Sequence, residues 1–202
     1  MEMEYKEFNN IPIFKDNMTT FKETSYDKDG KEPRYMTNSE IQVINFDKVK
    51  NWYIKDMFLS STPCSNDALY IGKDNKIFFV EFKNGALEKN KKMIFNVYNK
   101  IYDSLLIFND IVHQNISFCR ENLYFILVYN ESKNSYEECE TKQEDSPKAM
   151  ISKLIHNKAK KKFVRFGLDK FEKIYFKEVF TYTESEFENL FLTPINQNSI
   201  SM

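Results

Sequence analysis

Histidine, cysteine and glycine are the scarce residues of this chain, and each scarcity removes a class of function. Two histidines, His113 and His156, stand isolated among 202 residues. They leave almost no material for a His-based nuclease, a zinc site or a Ser-His triad. The three cysteines, Cys64, Cys119 and Cys139, are odd in number and have no CxxC spacing. That argues against a zinc cluster or a disulfide framework and for a reducing, cytoplasmic compartment. With four glycines and five prolines, long flexible linkers are not expected. There is no GxxxxGK[ST] or GxGxxG, hence no P-loop. No apolar run approaches the roughly 18 residues of a membrane helix. The start, MEMEYKEFNN, lacks the basic and apolar regions of a signal peptide, so none is expected.

Aromatic residues, by contrast, are plentiful. Nineteen Phe and 12 Tyr supply a core, within a composition that is 42% hydrophobic and 29% charged. A net charge of −1 excludes a wholly basic nucleic-acid coat but leaves room for a local basic patch. The length suggests one domain, taken as residues 1–192, followed by a frayed tail at 193–202.

The order of patterns is helix, hairpin, helix, strand, helix, strands, helix. Residues 1–36 read as loops with room for a short strand, with a turn signal at Lys28–Gly30. Val49, Tyr53 and Met57 lie four apart, predicting a helix over 47–58 with Asp47 as N-cap. The apolar runs ALYI and KIFFVEF flank Gly72-Lys73-Asp74-Asn75 and predict a β-hairpin. Helical spacing of Ile94, Val97 or Tyr98, Ile101, Leu105 and Phe108 predicts a helix over 86–112. LYFILVY, 123–129, reads as a buried strand. Residues 130–146 read as an acidic loop, and Ser146-Pro147 as the start of a helix to about residue 162. FVRF and IYFKEVFTY read as strands. Thr183 with Glu186 fits a capping box before a last helix ending near Phe191. The expected class is α/β, a mixed central sheet with an antiparallel hairpin, flanked by helices.

Chemistry concentrates in the second hairpin strand. Side chains alternate, so Ile77, Phe79, Glu81 and Lys83 share one face and Phe78, Val80 and Phe82 the other. A hairpin centred on Asp74 sets Asp67 directly across from Glu81. Like charges so placed destabilise a hairpin, and a divalent cation neutralises them. Asp67, Glu81 and the Phe82 carbonyl are oxygen donors of the kind Mg²⁺ takes, with Lys83 adjacent. This is the outline of metal-assisted phosphodiester hydrolysis.

The pattern of Asp67, a hairpin, then Glu81-Phe82-Lys83 resembles the PD-(D/E)xK nuclease superfamily, the restriction-endonuclease-like fold. The resemblance spans roughly residues 37–130. It implies a three-layer core of a helix, a three-stranded antiparallel meander, a helix and a fourth strand. It further implies a hydrolase in which Asp67 and Glu81 bind Mg²⁺ or Mn²⁺ and Lys83 positions or activates water. Asn66 stands where the family often has proline. Glu40 is a candidate for the supporting glutamate of the first helix. Lys100, on the helix after the hairpin, is a candidate phosphate contact, with a solvated helix face as the plain alternative. Lys89, Lys91 and Lys92, and the run at 158–162, are candidate nucleic-acid contacts, against the same alternative. The family favours DNA over RNA, and the segment resembles small bacterial members of undefined role. A homodimer or a protein partner is compatible with it; no membrane partner is expected, because no apolar run is long enough to span one. The competing expectation is a non-catalytic binding protein on the same fold, an immunity or regulatory partner. Its mark would be Asp67, Glu81 and Lys83 in a closed, salt-bridged cluster with no open cleft. A third reading has the acidic loop 130–146 docking a partner.

Overall fold

The computed structural model describes residues 8–28, 33–72, 76–134 and 164–200. The helix expected up to residue 162, the basic run 158–162 and most of the acidic loop lie outside those residues. Among the described residues, no helix is long and apolar enough to cross a membrane.

The protein is α/β, built on a mixed six-stranded sheet flanked by helices. Its strands are β1 (Met18–Thr20), β4 (Gln42–Asn45), β5 (Ala68–Ile71), β6 (Ile77–Lys83), β7 (Leu123–Tyr129) and β8 (Glu178–Thr183), in the spatial order β1-β4-β5-β6-β7-β8. β1 to β6 pair antiparallel and β6-β7-β8 pair parallel. A separate ribbon joins β2 (Tyr26–Asp27) to β3 (Arg34–Tyr35). The short helices α1 (Pro12–Lys15) and α2 (Phe21–Thr24) lie near the start, and α3 (Phe46–Tyr53) follows β4. The crossover from β6 to β7 runs through α4 (Lys91–Val112) and α5 (Ile116–Asn122). A crossover of that kind is what a parallel pair requires.

The apolar run of β6 is explained by cover on both faces. Ile77 and Phe79 pack with Leu69, Phe125, Leu127 and the buried α4 stripe of Val97, Ile101, Leu105 and Phe108. Val80 and Phe82 pack on the opposite side with Ile126, Val128, Phe21, Phe187 and Phe191. Each buried Phe contributes about 1.5–3 kcal/mol of apolar transfer energy. β6 is therefore held rigidly until its last residues, where Glu81 and Lys83 replace apolar groups on the α4 face.

Several elements differ from the sequence expectations. α3 is capped by Asn45, whose side chain accepts from the Lys48 N–H at 2.9 Å, and the helix stops at Tyr53. Asp47 instead accepts from Ser65 Oγ at 2.5 Å, and Met57 is exposed beyond the helix end. α4 begins at Lys91, because Asn90 accepts from the Lys92 and Met93 amides and caps it there. α5 was not anticipated; Asn115 caps it in the same way. The FVRF segment is no strand where it is described, because Phe166 and Gly167 take φ values of 62° and 66° and turn the chain. Lys173, at φ 63°, likewise delays β8 until Glu178. The Thr183–Glu186 capping box forms. The final helix then passes through a π-helical stretch, Phe187–Leu192, into Thr193–Ile200, with Leu192 buried and Ile195 packed beneath the sheet.

Candidate functional site

The carboxyl ends of β6, β7 and β8 lie on one edge of the sheet, with Lys83, Tyr129 and Thr183 in register. β5 runs the other way, so its start lies on that same edge. Open α/β sheets bind ligands at this edge.

The hairpin register is centred on residue 74: Ala68 faces Val80 and Ile71 faces Ile77. The ladder ends there; Asp67 immediately precedes β5, at the position that would face Glu81 if the ladder ran one pair further. Asp67 Oδ2 accepts from the Phe82 N–H at 2.7 Å, and Oδ1 accepts from Lys100 Nζ at 2.9 Å. Glu81 is fully buried. Its Oε1 lies 2.6 Å from Lys83 Nζ and 2.7 Å from Lys100 Nζ. Both ammonium groups are at ion-pair distance, and Oε2 has no hydrogen-bond partner among the described residues. Asp67, Glu81, Lys83 and Lys100 thus form one tetrad of two carboxyl and two amine side chains. Asp67, Lys83 and Lys100 keep 16–17% of their side-chain surface exposed, so the tetrad has an open edge.

Burial raises the Glu81 pKa above the ordinary carboxylate value, and the Asp67 charge adds to that; Lys100 and Lys83 pull the other way. Burial disfavours the Lys100 ammonium, but Asp67 and Glu81 outweigh it and raise its pKa above the usual lysine value. The site therefore keeps Lys100 charged beside a carboxyl group that is reluctant to ionise.

Two neighbouring frameworks hold the tetrad in place. On one side, α4 fixes the backbone leading into β5: Asp103 accepts from the Cys64 N–H at 2.7 Å and Ser104 Oγ from the Asn66 N–H at 2.8 Å. Asn66 is itself fully buried, and neither atom of its side-chain amide has a partner among the described residues. On the other side, asparagines lock the strand ends. Asn130 donates its N–H to the Lys83 carbonyl at 3.1 Å and its Nδ2 to Asn84 Oδ1 at 2.8 Å. Asn134 ties the Gly85 carbonyl to the Leu87 N–H. The Arg165 guanidinium lies 4.9 Å from the Tyr129 ring centroid, donates to the Tyr129 hydroxyl at 3.0 Å and pairs with Glu88. Tyr129 is the ladder partner of Lys83, so Arg165 stands one strand over from the tetrad.

Of the sequence candidates, Asp67, Glu81, Lys83 and Lys100 come together. Glu40 does not join them: it precedes β4, is largely exposed, and pairs with Lys22 at 3.6 Å. It lines a separate cleft of about 940 Å³, with Arg34, Glu184 and Glu188 among its walls. Lys89, Lys91 and Lys92 are exposed, before and within the first turn of α4, where cations oppose the helix dipole. Asn130, Asn134 and Arg165 belong to the site framework without having been expected there, and the Ser104–Asn66 hydrogen bond adds a backbone anchor the sequence does not reveal. Asn130 and Asn134 carried a signal in hindsight, since polar residues directly after an all-apolar strand must satisfy its terminal backbone groups.

Asp67 and Glu81 are the hard oxygen donors available for a divalent cation. The unpartnered, buried Glu81 Oε2 fits that use. No group of three or more His, Cys, Asp or Glu side chains suited to a metal occurs among the described residues. No family model, no curated protein and no solved structure matches this chain.

Proposed function

We propose that the chain is a Mg²⁺- or Mn²⁺-dependent nuclease with a PD-(D/E)xK site on a restriction-endonuclease-like core. One observation carries the reading: adjacent strands bring Asp67 and Glu81 together at the carboxyl-end edge of the sheet, with Lys83 on the same face. Asp67, Glu81 and the Phe82 carbonyl would hold the cation, which when bound would polarise a phosphodiester and acidify water. Asp67 is oriented for that task by the Phe82 N–H, and Glu81 by the rigid β6 ladder. Lys83 orients the attacking water and offsets charge developing on the phosphate. Lys89, Lys91 and Lys92 are the backbone contacts, and DNA is favoured over RNA by the superfamily resemblance alone.

The test is cleavage of single- and double-stranded DNA and RNA with Mg²⁺, Mn²⁺ or EDTA, beside Glu81→Ala and Lys83→Ala. Metal-dependent cutting that both substitutions abolish supports the reading and names the substrate. A folded protein that neither cuts nor binds Mn²⁺ overturns it.

A second reading has its own support. Glu81 is fully buried and Lys100 bridges both carboxylates, the salt-bridged part of the mark expected of a non-catalytic binding protein, although the cluster keeps an open edge. On that reading the tetrad is structural, and neutralising Lys83 changes stability with no catalytic consequence.

A further inference from the structure

We infer that the Lys100 ammonium occupies the position a divalent cation would take between Asp67 and Glu81, so that metal enters only by displacing Lys100. The inference rests on the nuclease reading and concerns how that same site is filled.

The geometry separates the two lysines. Lys83 Nζ approaches Glu81 Oε1 at 2.6 Å, along its own strand. Lys100 Nζ bridges the two strands, 2.9 Å from Asp67 Oδ1 and 2.7 Å from Glu81 Oε1. A cation shared by two carboxylates belongs at the point that reaches both, and Lys100 is the group that reaches both. It comes from α4, a separate element, on a flexible four-carbon stem with 16% of its side chain exposed. It therefore has a route out of the cluster that requires no movement of the sheet.

Charge gives the exchange a consequence. With Lys100 in place and Glu81 ionised, two carboxylates and two ammonium groups cancel, and the cluster offers a phosphate no net attraction. With a divalent cation in its stead, the cluster carries one net positive charge. The released ammonium then stands at the rim, free to meet the same phosphate. Lys100 thus acts as a resident counter-ion that lowers metal affinity and makes a complete site conditional on the exchange.

The experiment is Mn²⁺ titration calorimetry on the full chain and on Lys100→Met, which keeps the length of the stem and removes the charge. The expected result is Mn²⁺ binding at least tenfold tighter in the variant. Should the variant be too unstable to titrate, the native protein is read instead. The Lys100 ammonium resonance is followed by ¹H–¹⁵N NMR during Mg²⁺ addition, and it is expected to shift or vanish as the site fills. Native protein that binds Mn²⁺ and cuts, with the variant binding equally or more weakly, overturns this inference and leaves the nuclease reading standing. An ammonium signal unchanged at saturating Mg²⁺ does the same. If neither protein binds a divalent cation, both fail.

Discussion

Ser104→Ala is the substitution whose cost follows most directly from the structure. Ser104 Oγ accepts the Asn66 N–H at 2.8 Å, and both residues are fully buried. Alanine leaves that N–H without a partner and without access to water, a loss of about 1–3 kcal/mol. Alanine's better helix propensity returns up to about 0.7 kcal/mol. The net loss is about 1.5 kcal/mol, or a Tm lowered by about 3–6 °C in a chain of this size. Asp103→Ala is the comparison. Its partner, the Cys64 N–H, belongs to a half-buried residue that water can reach, so its cost is smaller. Urea unfolding followed by circular dichroism measures both. The Asn66 N–H also sets the start of β5, so on the proposed nuclease reading Ser104→Ala should weaken Mn²⁺ binding through Asp67 without touching a carboxylate. A loss under about 0.5 kcal/mol for Ser104→Ala, or a larger one for Asp103→Ala, refutes the reasoning.

Three further perturbations test separate parts of the structure. Asn45→Ala removes the α3 cap and is expected to cost about 1 kcal/mol, read from the urea midpoint. Glu81 has a folded pKa above its unfolded value, so its contribution to stability is fully present below the unfolded value and lost as pH rises through the folded one. Urea midpoints from pH 4 upward should show that loss in the native protein, and Glu81→Gln should flatten it. Burial pushes the Cys119 thiol up to about 12, despite a hydrogen bond to Asn109. At pH 8 only about one part in ten thousand is thiolate, so iodoacetamide should label half-buried Cys64 well before Cys119, as peptide mass spectrometry would show.

What the sequence made legible was the part governed by short-range periodicity. The hairpin register followed from two apolar runs about a turn, and with it the approach of Asp67 to Glu81, which Lys100 joins. β7 was legible because seven consecutive apolar residues have no other place than a sheet covered on both faces. Lys100 could be put on the right helix, but not between the carboxylates, because its reach depends on how α4 lies across the sheet. β4 and α5 were missed because four and seven residues are too few to show a period, and the signals that define them are single asparagine caps. The turn at Phe166 was unreadable because a non-glycine residue is held at positive φ by tertiary contacts, among them Tyr98 Oη donating to its carbonyl at 2.8 Å. Glu40 failed as a site residue because the chain before β4 turns toward α2, where Lys22 meets it.

α4 can also be regarded as a ruler. Lys100 and Ser104 lie one turn apart on it, flanking the buried stripe of Val97, Ile101, Leu105 and Phe108. Ser104 sets the strand that begins with Asp67, and Lys100 reaches the ionic cluster that Asp67 joins. Each inserted or deleted residue turns everything beyond it by about 100° about the helix axis. A change of length between Lys100 and Ser104 would therefore swing either the stripe or the strand anchor off the sheet. Changes of identity on the exposed face, at Phe95 or Leu106, leave the measure intact. Among related chains, this stretch should vary freely in its outward residues and not at all in its length.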